Sequence, residues 1–114
     1  MIASPLIAAS IQPFVLSILA GGESYGYAII QRVKVLTGGQ IKWTTSTLYP
    51  VLHRLENKGL LESDWRISAD GPRRKYYRIT QKGRKALDHD KRQWLDVHRA
   101  LSELWNASPG LAPA

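Results

Sequence analysis

Apolar residues recur at helical spacing in four parts of this chain and at strand spacing in a fifth. The first two stripes predict short helices, each of which ends at a glycine pair, Gly21-Gly22 or Gly38-Gly39. Ser10 and Pro13 are expected to open the first helix, and Ser24 is expected to cap the second. The two stripes consist of Ile11, Phe14, Val15, Ile18 and Leu19, and of Tyr25, Ala28, Ile29, Val33 and Leu36.

The third stripe predicts the helix around which the rest of the chain is organised, and it consists of Leu48, Val51, Leu52 and Leu55. Ser46 or Thr47 is expected to cap its first turn, and Gly59 is expected to end it in the left-handed conformation. The opposite face is polar and consists of Ser46, Tyr49, Pro50, His53, Arg54 and Asn57. Such a face can meet phosphates and base edges in a major groove, but an ordinary solvated helix face has the same pattern.

A β-hairpin is predicted directly after this helix. Its strands cover residues 60–67 and 73–79, and residues 68–72 form the turn. The side chains expected to face the core are Leu61, Trp65, Ile67, Tyr77 and Ile79. The second strand opens with three successive cations, Arg73, Arg74 and Lys75. Cations often protect a hairpin edge from aggregation, but three in succession favour contact with phosphates or with a minor groove.

The last periodic segment begins at Thr80, whose hydroxyl can cap a helix, and it continues to Trp105. Its roughly 25 residues would extend about 37 Å, which is too far for the small preceding core to cover. Because an apolar stripe without a partner in its own domain usually marks an interface, we expect this helix to form a homodimer. The predicted interface residues are Leu87, Trp94, Val97, His98, Leu101 and Trp105.

This order of elements, together with two stretches of sequence, closely resembles the PadR family of bacterial transcriptional regulators. The stretches are TLYPVLHRLENKGLL, which begins at Thr47, and GPRRKYYRITQKGRKAL, which begins at Gly71. Tyr25-Gly26-Tyr27 also fits the usual opening of the second helix in this family. The resemblance extends from about Phe14 to Leu104, which is most of the chain.

The resemblance implies a mainly α-helical fold with a small β-hairpin wing, that is, a winged helix-turn-helix followed by a long dimerisation helix. Residues 1–79 would form the DNA-binding domain, with residues 1–9 as a loose arm and a stub strand at Gln40–Trp43 that joins the hairpin. Residues 80–105 would form the dimerisation helix. Residues 106–114 are rich in proline, glycine and alanine and would form a disordered tail.

The resemblance also implies a repressor that binds a palindromic duplex as a homodimer, with its third helix in the major groove and the wing along the backbone. The predicted DNA contacts are Lys42, Thr45, Ser46, Thr47, Tyr49, Pro50, His53, Arg54, Arg73, Arg74 and Lys75. In family members that sense flat aromatic compounds, a tryptophan of the last helix stacks on the ligand. A planar aromatic effector would therefore meet Trp94 and a slot lined by Val97, His98 and Leu101. Packing of Trp94 against its dimer mate or the first helix is the alternative.

The charge balance favours a polyanionic partner. Sixteen lysine and arginine residues against nine acidic residues give a net charge of +7 and a pI near 10.0, and ten of these cations lie within residues 66–92. The chain has no cysteine, its three histidines have no catalytic or zinc-binding spacing, and no glycine-rich loop follows a strand. We therefore expect no enzyme activity, no metal and no cofactor.

The sequence shows neither an apolar run long enough to span a membrane nor a basic leader, so a cytoplasmic location is expected. A protein-interaction winged helix, in which the basic surface meets an acidic partner, is the main alternative function. An RNA-binding domain is disfavoured, because no pair of exposed aromatic residues is expected on adjacent strands for base stacking. Duplex binding that weakens as salt rises would separate DNA recognition from the protein-interaction alternative.

Overall fold

The computed structural model describes residue 2 and residues 4–107, which form four helices and a small three-stranded antiparallel sheet. In chain order the elements are α1 (Ser4–Ala20), β1 (Ser24–Tyr25), α2 (Gly26–Leu36), α3 (Thr45–Asn57), β2 (Leu61–Ile67), β3 (Arg73–Ile79) and α4 (Gln81–Ala107). The strand order is β1-β3-β2, so the second strand of the hairpin is central in the sheet. This architecture confirms the predicted winged helix-turn-helix with a long last helix.

Side chains from all four helices and from the hairpin meet in one core. The core residues are Val15, Leu16, Leu19, Ile29, Ile30, Val33, Ile41, Trp43, Leu48, Val51, Leu52, Leu55, Leu60, Leu61, Tyr77 and Leu87. The whole predicted apolar stripe of α3 is buried there, and each such side chain contributes about 1.5–3 kcal/mol of transfer free energy. Burial of this stripe fixes the rotation of α3 about its axis and leaves its polar face exposed.

Local hydrogen bonds fix both ends of α3. The N-cap is Thr44, earlier in the chain than predicted, and its Oγ1 accepts a hydrogen bond from the Thr47 N–H at 3.3 Å. At the other end Gly59 adopts a φ of +76°, as predicted, and the Leu60 N–H donates to the Leu55 carbonyl at 2.9 Å. This 6→1 bond is the mark of a Schellman cap, which requires a left-handed residue and so favours glycine.

The second hairpin strand has the predicted bounds and the first begins one residue later than predicted, but the burial of the first differs from the prediction. Leu61 and Tyr77 lie at the base and are only 2% exposed. Trp65 is 57% exposed and Ile67 78% exposed, so the prediction that both face the core is wrong. The reason is the length of the hairpin: its outer half extends beyond the helices, and no element covers the end of β2.

The third strand lies at Ser24–Tyr25, where it pairs with Tyr76 and Tyr77 in the middle of β3, instead of at the predicted Gln40–Trp43. The pairing also places Ser24 inside a strand, so the prediction that it caps α2 is wrong. Within the predicted stub segment, the side chains of Ile41 and Trp43 are buried, but the backbone forms no strand. Their alternation with polar residues therefore reflects burial without strand pairing.

α1 begins at Ser4, so the expectation of a loose arm is wrong for residues 4–9; residues 1 and 3 lie outside the described part. The helix begins early because apolar residues upstream of the predicted stripe, among them Ile7, also pack against the core. Pro13 lies in the helix interior instead of at its start. It removes one backbone hydrogen bond, and packing on both sides of this position holds the helix together.

α4 has 27 residues, spans about 40 Å and makes the molecule elongated, with extents of 60 × 29 × 21 Å. The predicted cap is confirmed, because the Thr80 hydroxyl accepts from the Gly83 N–H at 3.0 Å; it also donates to the Gly59 carbonyl at 2.6 Å. Residues 106–107 are helical, so the predicted tail begins too early, and residues 108–114 lie outside the described part. Within residues 4–107, no helix is both long and apolar enough to cross a membrane.

Candidate nucleic-acid interface

A groove of about 580 Å³ separates α3 from the face of the hairpin that looks towards it. α3 contributes Tyr49 and His53 to this groove, and β3 contributes Arg73, Arg74 and Lys75. All five were predicted as DNA contacts. The structure brings them together although the whole of β2 separates the two groups in sequence, because the hairpin folds back beside α3.

The remaining walls of the groove are aromatic and were not predicted as part of the site. They comprise Tyr25, Tyr27, Trp65 and Tyr77, with Gly26 between the first two. The glycine allows a close approach: a Cβ at Gly26 would lie 2.6 Å from Tyr49 Cε1 and 3.0 Å from its hydroxyl oxygen. The Tyr49 ring therefore packs over the start of α2, and only a residue without a side chain leaves room for it. Tyr25 and Tyr27 can be read from the sequence, but only the pairing of β1 with β3 shows that they lie at the groove.

The other predicted DNA contacts lie outside this groove, although all of them are exposed. Five belong to α3 and form its outer surface: Thr45, Ser46, Thr47, Pro50 and Arg54. Lys42 lies in the irregular segment before that helix. The polar surface of α3 is thus continuous from its first turn to the groove.

The three cations of β3 differ in how they are held by acidic partners. Arg74 lies 3.3 Å from the exposed carboxylate of Asp70, and Lys75 lies 3.5 Å from Glu56. Arg73 has no carboxylate partner among the described residues. The pair with the exposed Asp70 carboxylate contributes little free energy, whereas the Lys75–Glu56 pair is half-buried. Arg73 and Arg74 are therefore able to contact a bound anion, whereas Lys75 would first have to leave the half-buried Glu56 carboxylate.

The opposite face of the hairpin is electrostatically different, because its arginines are neutralised. Arg66 forms ion pairs with Glu23 and Asp64, and Arg78 forms ion pairs with Asp64 and Glu62. The hydrogen bonds from Arg66 hold the pKa of the Glu23 carboxyl below its ordinary value, and those from Arg66 and Arg78 do the same for the pKa of Asp64. Arg73, the hairpin cation without a carboxylate partner among the described residues, thus faces the groove.

Comparison with known proteins assigns the chain to a family. The sequence model of the transcriptional regulator PadR-like family matches residues 15–89, which include α3, the hairpin and the start of α4. The chain belongs to this family. The resemblance seen in the sequence is therefore confirmed, and the protein is a DNA-binding transcriptional regulator of the PadR-like family.

Individual relatives agree with this assignment. The chain is 39% identical over 93 residues to a transcriptional regulator of Mycobacterium tuberculosis, covering 82% of this chain and 83% of the relative. Among solved structures, it is similar to a transcriptional regulator from Clostridium thermocellum (30% identity, TM-score 0.82, 91% of this chain and 98% of the other). It is also similar to a PadR-like regulator from Bacillus cereus (28% identity, TM-score 0.79, 90% and 98%). The PadR-like family is one of transcriptional regulators and not of enzymes.

In this PadR-like chain the predicted dimer residues of α4 differ in burial: one is in the core and the others are exposed. Leu87 is only 3% exposed and packs in the chain's own core, so its assignment to a dimer interface is wrong. The others are exposed along the outer part of α4: Trp94, Val97, His98, Leu101 and Trp105. They recur at helical spacing, so they form one continuous apolar stripe that is interrupted only by the imidazole.

Trp94 also borders a second groove, of about 630 Å³, between α1 and α4. Phe14 and Ile18 of α1 and Leu95 of α4 line it, whereas Val97, His98 and Leu101 lie further along α4 and outside it. The structure thus brings Trp94 together with α1 and not with the other predicted effector residues. Among the described residues, no cluster of three histidine or acidic side chains could hold a metal ion.

Proposed function

We propose that this PadR-like regulator is a sequence-specific repressor that binds a palindromic operator as a homodimer in the bacterial cytoplasm. The observation that supports DNA contact at this surface is the groove itself, where Tyr49 and His53 of α3 meet the three cations of β3. In this proposal α3 enters the major groove and its exposed side chains reach base edges. The hairpin cations lie along the backbone and neutralise phosphates, which gives affinity without sequence preference.

The proposed homodimer rests on the uncovered stripe of α4. Trp94 is 42% exposed, Leu101 39% and Trp105 62%, and an apolar surface of this kind on a single long helix is suited to a second copy of the same helix. A twofold axis through the α4 pair would place the two α3 helices on one side of the dimer. Two half-sites about one DNA turn apart, roughly 34 Å, would then be recognised together.

The proposed effector is a small planar aromatic compound that contacts Trp94, and it would act by changing the spacing of the two α3 helices. The groove beside Trp94, with Phe14 at its wall, offers two aromatic rings for stacking. Such a compound can regulate only if it binds the DNA-competent and incompetent spacings with different affinity. The test is a titration of planar phenolic or cationic aromatics against the tryptophan fluorescence of wild type and Trp94→Ala. Quenching that is unchanged in the variant would remove Trp94 from the effector site.

Selection of bound sequences from random DNA duplexes tests the function as a whole. The expected product is a palindrome whose half-sites are about one helical turn apart. Recovery of no preferred sequence, together with binding to acidic proteins, would favour the protein-interaction alternative. Recovery of a single unrepeated half-site would contradict the homodimer and leave the DNA recognition intact.

A further inference from the structure

Two large apolar side chains are uncovered on the hairpin face that looks towards α3. These are Trp65 and Ile67, which lie two and four residues after Ser63 along β2. Because the Ser63 hydroxyl donates to the Glu56 carboxylate of α3, the three side chains share the α3-facing side of the strand. Tryptophan is among the residues that most often anchor an interface. An exposed indole in the wall of the groove therefore requires an explanation beyond packing.

Two cations of β3 lie beside Trp65: the Arg73 guanidinium is over its ring, whereas the Lys75 ammonium lies over Tyr77, 5.4 Å from that ring's centroid. Lys75 is the cross-strand partner of Trp65, and the guanidinium carbon of Arg73 lies 5.2 Å from the centroid of the Trp65 ring. No carboxylate is among the described residues that line the groove, and the nearby Glu56 carboxylate of α3 pairs with Lys75 at 3.5 Å. The hairpin thus presents a flat apolar surface bordered by positive charge, whereas the arginines on its other face are paired with acids.

Building on the proposed DNA recognition, we propose that Trp65 is itself a DNA contact, whose indole packs on the sugar and base edge of the strand whose phosphates Arg73 and Lys75 neutralise. A nucleotide strand alternates negative phosphates with apolar sugar and base surfaces, which matches the cations and the ring of this hairpin. An acidic peptide would match the charge but would offer the indole no regular flat partner. The contribution of the indole to affinity is independent of salt, because an uncharged ring releases no counterions from DNA.

This salt independence provides the test, in which the full-length chain is titrated against its selected duplex at several salt concentrations. Trp65→Ala should bind roughly tenfold to a hundredfold more weakly, with an unchanged slope of log affinity against log salt. Arg73→Ala should instead lower the slope by about one per subunit. Val35→Ala is the matched control, because it removes an apolar side chain that is 74% exposed on α2 and does not line the groove, and it should bind like wild type.

Two further measurements separate the contact from a folding defect. Trp65 is not part of the buried core, so Trp65→Ala should keep its helical circular dichroism and its cooperative unfolding. Trp65→Phe retains an aromatic ring and should recover most of the affinity. It should also lose part of the DNA-induced change in tryptophan fluorescence, because the reporting indole at the contact is gone.

Wild-type affinity in Trp65→Ala would overturn the proposed contact while leaving DNA recognition intact. Weaker binding with a shallower salt slope would overturn it too, because the indole would then act only by orienting Arg73. If wild type itself bound no duplex, both the proposed function and the contact would fail, and that result is distinct from the first two.

Discussion

At the scale of single residues, the position of Tyr49 depends on Gly26. The Tyr49 ring packs where a Cβ at this position would lie, and Gly26 has no positive φ that would itself require glycine. The constraint is therefore the space above α2 and not the backbone conformation. The position of a tyrosine in the proposed DNA-binding groove thus depends on a residue of another element.

Gly26→Ala is expected to displace the Tyr49 ring and weaken DNA binding without destabilising the fold. Alanine is favoured over glycine in helices by up to about 1 kcal/mol, which offsets the cost of moving a flexible side chain. Duplex affinity and urea unfolding, measured on the same variant, check this. Gly21→Ala is the control, since its Cβ would meet only an ordinary contact at 3.4 Å from the Ile18 carbonyl. Equal affinities of the two variants would remove Gly26 from the positioning of Tyr49.

The ion pairs on the outer face of the hairpin predict a dependence of stability on pH. The folded state lowers the pKa of Glu23 and of Asp64, so it binds fewer protons than the unfolded chain in acid. Their contribution is present above the ordinary carboxyl pKa and is lost as the pH falls below about 4. The free energy of unfolding of Asp64→Asn should therefore fall less over this range than that of wild type or of the Asp70→Asn control. Parallel pH profiles for all three proteins would contradict this.

Exposure at residue scale was predicted well on α3 and poorly on the hairpin and α4. The stripe of α3 is complete in the sequence, and the buried and exposed sides follow from its period. The exposure of Trp65 depends on how far the hairpin extends beyond the helices, and the burial of Leu87 depends on how α4 packs on the core. Both depend on tertiary packing, so neither can be predicted from the spacing of apolar residues along the chain.

At the scale of elements, three boundaries were predicted correctly from adjacent residues, whereas the starts of the first three helices and the pairing of β1 were not. The turn between β2 and β3, the glycine at the end of α3 and the cap of α4 were each predicted from adjacent residues and are confirmed. The short strand β1 was predicted in the wrong place. β1 has only two paired residues, and so short a segment has no sequence pattern that would favour it over the predicted strand at Gln40–Trp43.

The junction between α3 and α4 is the element-scale feature on which the orientation of the long helix depends. Thr80 links the two helices, because its hydroxyl donates to the Gly59 carbonyl and its N–H donates to the Leu60 carbonyl at 3.1 Å. A Cβ at Gly83 would overlap the Leu60 carbonyl oxygen and lie 2.7 Å from Ile79 Cγ1. The close approach at Gly83 allows the first turn of α4 to lie directly on the end of α3.

Gly83→Ala is therefore expected to destabilise the protein by about 1–3 kcal/mol or more, because a backbone atom must move to admit the methyl group. Chemical denaturation measures the loss, with Gly21→Ala again as the matched substitution. A variant as stable as wild type would show that the junction is not tightly packed.

At the scale of the whole molecule, the account requires two copies of the chain. The first half of α4 packs on α1, where Gln12 donates to Asp90 at 3.1 Å, and the second half extends away from the core. The stripe from Trp94 to Trp105 has no covering element among the described residues. The period of α4 predicted this stripe, but the boundary between its core-packed and uncovered parts required the structure.

Leu101→Glu is expected to prevent formation of the proposed dimer, because it would bury a charge in an apolar interface, and operator affinity should fall with it. Sedimentation equilibrium measures the change in mass. Arg99→Glu is the control, since this side chain is 71% exposed on the opposite side of α4 and pairs with Asp96. If both variants remained dimeric, the interface would lie on another surface.

The central claim is that this PadR-like regulator reads DNA sequence through α3 and holds the backbone with the hairpin. The most direct test is the equilibrium affinity of the full chain for its selected palindrome and for a scrambled duplex of equal composition, measured across a range of salt concentrations. We predict that both affinities fall steeply as salt rises, and that the palindrome keeps a preference of at least about a thousandfold. Equal affinity for the two duplexes, or binding that does not change with salt, would contradict the account.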